Sequence, residues 1–158
     1  MKHGSTLFLK IAVFLIGTPV LVLSIVGIIS LLNNPPSAEY APILYPIVAG
    51  MLLTTIPFYF ALYQAFTLLS YIDKNEAFSQ LSVEALKKIK LCAITIGSVY
   101  VVIMPFIYFL AEKDDAPGAI IFGMVPIFAS IVIAVFGAVL QRLLQEAIDI
   151  KSENDLTV

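Results

Sequence analysis

Charge is what this sequence has least of. Only 13% of its 158 residues are Asp, Glu, Lys or Arg, about half the share of an ordinary soluble domain. The deficit is concentrated: residues 11–32, 43–72, 91–111 and 117–140 hold no Asp, Glu, Lys, Arg or His at all. Proton-coupled pumps and multidrug exchangers commonly rely on an ionisable residue at membrane depth, so ion-coupled transport is disfavoured. A single cysteine, Cys92, excludes an internal disulfide framework and a CxxC metal or redox site. The one histidine, His3, stands near the N-terminus, leaving no His/Glu metal pair and no base for Cys92 within the uncharged runs. No catalytic, metal or cofactor site is expected. No Asn-x-Ser/Thr sequon occurs, and with a net charge of −2 there is no basic face to bind nucleic acid directly.

What the sequence has instead is apolar length. It is 60% hydrophobic, with a mean hydropathy of +1.00. Each uncharged run reaches the roughly 20 residues that cross about 30 Å of hydrocarbon. The fold class expected is all-α: an integral membrane four-helix antiparallel bundle, with the last helix extending into the cytoplasm. One membrane domain fills residues 1–158, with a loop at 73–90 and a tail at 141–158. The first run has a basic start, but it is too long for a signal peptide and no A-x-A-like site follows, so it reads as an uncleaved helix. The second run is long enough that it must tilt, kink or continue into water as helix.

Orientation follows from the basic residues. Lys2, Lys10, Lys74, Lys87, Lys88, Lys90, Arg142 and Lys151 share one side, and only Lys113 lies on the other, beside Glu39, Glu112, Asp114 and Asp115. Both termini and the 73–90 loop are therefore expected in the cytoplasm. The outer links, Asn33–Pro42 and Glu112–Ala116, are short enough to make sequence neighbours antiparallel. The four outer carboxylates are hard-ion ligands in type, but nothing in the sequence fixes their geometry, and a solvated acidic loop is the plainer reading.

Each run carries a proline: Pro19, Pro57, Pro105 and Pro126. Proline kinks a helix and frees a carbonyl. One reading is a splayed outer cavity for a lipid or amphiphile; the plainer one is ordinary membrane tolerance of proline. Small residues recur at helical spacing, in Ala61 with Ala65, Ala93 with Gly97, and Ser130–Ala134–Ala138, with Ser24, Gly27 and Ser30 in the first run. They allow close helix approach, within one bundle or in a homo-oligomer. The most polar stripe, Tyr59, Tyr63 and Gln64 followed by Thr67 and Ser70, is a candidate intramembrane polar site or interhelical glue.

Two segments face the cytoplasm. Ser82 reads as an N-cap, with Glu84 in the first turn and Leu81 and Leu86 as a hydrophobic staple. The helix so begun runs through Lys87, Lys88 and Lys90 into the third span, its lysines suited to anionic headgroups. At the far end Leu140, Leu143, Leu144, Ala147 and Ile148 form an amphipathic extension whose stripe needs a partner: either the start of the third helix or another protein. The closing Leu156-Thr157-Val158 has the form of a short edge-adding strand. The candidate partner-binding residues are Leu144, Ile148, Asp155, Leu156 and Val158.

Two stretches carry a family likeness. The loop Leu69-Ser70-Tyr71-Ile72-Asp73-Lys74-Asn75-Glu76-Ala77-Phe78-Ser79 resembles that of the YoaS-like bacterial membrane proteins. So does Gln145-Glu146-Ala147 leading to Glu153-Asn154-Asp155-Leu156-Thr157-Val158. The resemblance covers nearly the whole chain. It implies a four-span protein of the bacterial cytoplasmic membrane, in a family without assigned function whose members are often encoded beside a small helix-turn-helix regulator. It offers no catalytic residues.

The functional expectation is a non-enzymatic membrane protein whose cytoplasmic loop and C-terminal helix bind a soluble partner, such as a small DNA-binding regulator. The alternative is a small transporter or immunity-type protein for a hydrophobic peptide or lipid-like compound.

Overall fold

The computed structural model describes residues 2–156, with side chains from residue 4 onward. Four helices account for nearly all of them: α1 (Lys2–Asn33), α2 (Ala41–Asp73), α3 (Gln80–Lys113) and α4 (Gly118–Leu156). All four are long and apolar enough to cross a membrane, and the molecule is an antiparallel helical bundle. Each helix runs unbroken through its prolines: Pro19, Pro46 and Pro57, Pro105, and Pro126.

The helices overrun the uncharged runs, because loss of charge marks where lipid begins rather than where helical hydrogen bonding stops. Capping sets the true ends. Beyond α2, Asn75 adopts φ 60°, while its N–H reaches Ile72 O and that of Glu76 reaches Tyr71 O. Beyond α3, Asp115 adopts φ 51° and Ala116 N–H returns to Ala111 O. Both are Schellman closures, in which a short polar residue takes the left-handed position that glycine usually fills.

The start of α3 differs from the sequence expectation. The N-cap residue is Ser79, in extended conformation, and the helix begins at Gln80, one turn earlier than an N-cap at Ser82 would place it. Ser82 is fully buried and donates from Oγ to Glu76 O at 3.2 Å. Leu81 is exposed while Leu86 is buried, so they form no staple. Ser82, Val83, Ala85 and Leu86 together make this short stretch one of the most tightly enclosed parts of the protein.

Each helix packs only on its neighbours in sequence, so among the described residues the bundle is an open row, α1–α2–α3–α4, with no closing contact between α1 and α4. The three seams differ. Between α3 and α4, a side chain at Gly123 would meet Ile107 Cδ1 at 2.8 Å, one at Gly97 would meet Ser130 Cβ at 3.0 Å, and one at Gly137 would meet Lys90 Cβ at 3.4 Å. Gly123, Ser130 and Gly137 are the buried residues of α4 and stand seven apart, opposite Met104, Gly97 and Lys90. A seven-residue repeat keeps two helices in continuous register, and small side chains let their backbones close in where lipid offers no hydrophobic drive to associate. Between α2 and α3, Ile47, Ile103 and Ile107 form an apolar cluster, and Ile103 lies against Gly50.

The α1–α2 seam is held by polar pins. Thr6 Oγ1 donates to Asp73 Oδ1, and Lys10 Nζ pairs with Asp73 Oδ2 at 2.8 Å. Lys10 also stands 5.2 Å from the centre of the Phe66 ring, which Phe14 meets edge-on. Further along, the Tyr59 hydroxyl donates to Gly17 O at 2.7 Å, where the absent Gly17 side chain lets Leu62 approach. Past this point α1 is almost bare. A side chain added at Gly27 would meet nothing within 4 Å, and Ser24 spends its hydroxyl on Val20 O, so Ser24, Gly27 and Ser30 do not form a packed face.

Candidate functional site at the basic end

Antiparallel pairing puts the start of α1, the end of α2, the start of α3 and the end of α4 at one end of the row, together with eight of the nine basic residues in the chain. The close approaches of α4 on α3 fix what lies level with what. Gly137 sits against Lys90 and Ser130 against Gly97, so Leu144 comes level with Val83 and Ala147 with Gln80, the first residue of α3. Everything in α4 beyond that overhangs. At about 1.5 Å per residue, the stretch from Gln141 to Leu156 reaches roughly 24 Å past the uncharged run.

The inward face of this extension is rotated from the leucine stripe expected. Leu140 and Leu143 are exposed, whereas Gln141, Leu144, Gln145 and Ile148 are half-buried. The reason lies upstream, since the small-residue seam at Gly123, Ser130 and Gly137 sets the rotation of the whole rod. Seven residues further that seam arrives at Leu144. An open groove of about 370 Å³ lies between α3 and α4 here, lined by Val83, Lys90, Ala138, Gln141, Arg142, Gln145 and Glu146. In it Lys90 Nζ donates to Gln141 Oε1 at 3.2 Å, and Arg142 Nε approaches Glu146 Oε1 at 3.4 Å.

The candidate partner-binding residues thus separate. Leu144 and Ile148 are half-buried, Asp155 and Leu156 are exposed at the tip (Leu156 to 83%), and Val158 lies outside the described residues. The candidate polar site in α2 also divides. Tyr59 is bound to the Gly17 carbonyl, Tyr63 is 64% exposed, and Gln64 is buried. Thr67 and Ser70 return their hydroxyls to Tyr63 O and Phe66 O of their own helix. Thr6 and Gly17 were not anticipated as contact residues, and Asp73 was expected only as the edge of a loop. Its place one residue after an uncharged run, with Lys10 just before another, was the available signal.

The far end is clasped shut. Tyr40 donates to Asp114 Oδ1 at 2.7 Å, while Lys113 bonds Glu39 through its carbonyl at 3.1 Å and its carboxylate at 3.2 Å. The hydrogen bond to the Asp114 carboxylate, with some desolvation, raises the Tyr40 phenol above its ordinary 10.0. Two of the four outer carboxylates are therefore engaged by side chains. Among the described residues no three His, Cys, Asp or Glu side chains converge on a point where an ion could sit. An apolar cleft of about 300 Å³ opens between α2 and α3 in the half nearer this end, lined by Gly50, Leu53, Ser98, Val99, Val102 and Ile103.

Four apolar helices, a lipid-facing exterior and charge confined to the two ends define a multi-pass membrane protein. Residues 31–158 match the family model described as "Protein of unknown function (DUF2975)". The chain is also 61% identical, over the full length of both proteins, to the uncharacterized membrane protein YoaS of Bacillus subtilis (strain 168). It belongs to the DUF2975 family. No solved structure matches it.

Proposed function

We propose that this chain is a non-enzymatic protein of the bacterial cytoplasmic membrane, with both termini in the cytoplasm, that binds a soluble partner through the overhang of α4. The observation that carries the reading is the overhang itself: α4 continues beyond the first residue of α3 with Ile150 and Leu156 exposed on a helix that has left the uncharged run. A helix with apolar side chains exposed outside lipid is suited to a groove on another protein. The distribution of Lys and Arg supports the orientation. The partner class follows from the family resemblance, a small helix-turn-helix regulator.

The test is affinity purification from mild detergent, comparing the full chain with one ending at Ser152. Recovery of such a regulator with the full chain alone supports the reading, and equal recovery with both counts against the tail. Orientation is read separately by thiol labelling of a Ser152→Cys variant in intact cells and in inverted vesicles, the native Cys92 being buried. The transporter or immunity-type reading keeps one observation, the apolar cleft beside Gly50. Should Gln64→Leu and Tyr63→Phe leave every export or resistance phenotype intact, it loses its polar component.

A further inference from the structure

We infer that the groove between α3 and α4 at the basic end is a binding site for the phosphate headgroup of an anionic lipid, held between Lys90 and Arg142. Three observations lead there. The first is depth. Lys90 lies against Gly137 and bonds Gln141, at the point where the uncharged run of α4 ends at Leu140. The groove therefore opens at the bilayer surface, where headgroup phosphates lie.

The second is charge. Lys90 is half-buried and, alone among the described half-buried basic residues, has no carboxylate partner; Lys10, the comparable case, has Asp73. Lys90 spends one donor on the neutral Gln141 amide and keeps two for a further acceptor. The Lys90 stem packs on Gly137, which holds the ammonium at the groove, and a lipid phosphate supplies a counter-charge there without any change in the protein.

The third is shape. The groove, about 370 Å³, carries Gln141, Gln145 and Arg142 along one wall and the small or apolar Ala138 and Val83 beside them. That combination fits a phosphate with its glycerol, and the exposed Leu140 on the adjoining membrane surface of α4 lies at the depth of the acyl chains. Glu146 also lines the groove and opposes an anion. Its pairing with Arg142 is long, at 3.4 Å, and both side chains are largely exposed, a kind of pair that contributes little and that a phosphate displaces readily.

The experiment is native mass spectrometry of the detergent-purified full chain titrated with phosphatidylglycerol and, separately, phosphatidylcholine. Thermal stability in nanodiscs of each lipid is measured alongside. The expected result is a preference for phosphatidylglycerol that falls about fivefold in Lys90→Gln and again in Arg142→Gln, near what one cation at the surface provides. Glu146→Gln should strengthen it. Lys87→Gln with Lys88→Gln, exposed and outside the groove, should leave it nearly unchanged. If that double variant costs as much as the groove variants, a diffuse basic surface is at work and the site is overturned. Millimolar inorganic phosphate that displaces the lipid would assign the groove to a free anion instead. Arg142→Gln guards against a folding artefact at Lys90, since Arg142 is exposed and supports no packing.

Discussion

The first seam of the row and the last are built on opposite plans. Between α3 and α4, close backbone approach at Gly97, Gly123 and Gly137 runs from one end of the span to the other. Between α1 and α2, contact is concentrated in the basic half, at Thr6, Lys10 and Gly17, and the rest of α1 lies bare. In lipid, apolar surface alone does not hold helices together. One seam solves this by fit and the other by a few directed polar bonds. Fit is distributed and tolerates the loss of one polar contact, whereas pins are local and fail singly. The family model begins at residue 31, leaving almost all of α1 outside it, in keeping with a helix attached to a core that the other three complete.

The sharpest way to break this contrast is to fill a glycine in each seam. Gly123→Leu forces a side chain into Met104 and Ile107 and should destabilise the protein by about 3 kcal/mol, the upper range for overpacking. Gly27→Leu, with open space around it, should change little. Unfolding in mixed detergent micelles measures both, and equal losses would contradict the contrast. The pins are tested next. Asp73→Ala removes the carboxylate that the buried Thr6 and half-buried Lys10 both bond, a loss of about 2 kcal/mol. It should free α1 while the α3–α4 seam stays closed. Disulfide trapping between cysteines at positions 14 and 66 should slow, since Phe14 and Phe66 are in ring contact at 5.8 Å, while an α3–α4 pair is unaffected.

The smallest effect lies at the loop clasp. The Tyr40 phenol is raised in the folded protein by its bond to Asp114. Its contribution is thus fully present below pH 10 and is lost as pH rises through the elevated folded value. Hydrogen exchange at the start of α2 should lose protection over that window beyond the intrinsic base-catalysed rise in rate, and Tyr40→Phe should remove that excess.

The spans, their antiparallel order and the helical run of Lys87–Lys90 into α3 were legible because each depends on local hydropathy. Helix ends were less so. Asn75 and Asp115 stop helices through left-handed backbone geometry, and Ser79 begins one where the sequence pattern pointed to Ser82. The small-residue seam was half-legible. Gly97 and Ser130 stood out in patterns of four, but the spacing that packs is seven, and it enlists Gly123 and Gly137. The same repeat turns Gln141 and Gln145 inward and Leu140 and Leu143 outward, against the hydrophobicity of the extension taken alone. Rotation of a long helix is decided where it is packed most tightly, and a window of residues elsewhere along it does not contain that information. Tyr59, Tyr63 and Gln64 looked like one stripe for a related reason. Side chains one turn apart diverge when a neighbour such as Gly17 offers an acceptor to only one of them.

That each helix, among the described residues, touches only its neighbours in sequence also bears on how the protein is made. No part of the row has to wait for a distant segment before it packs, so the order of synthesis can serve as the order of assembly. The α1–α2 hairpin, with the Thr6 and Lys10 bonds to Asp73, needs nothing from α3 or α4 to close. The glycine-lined hairpin follows and is complete only when α4 arrives. The α2 face with Gly50 and Ile47 is covered only once α3 is in place.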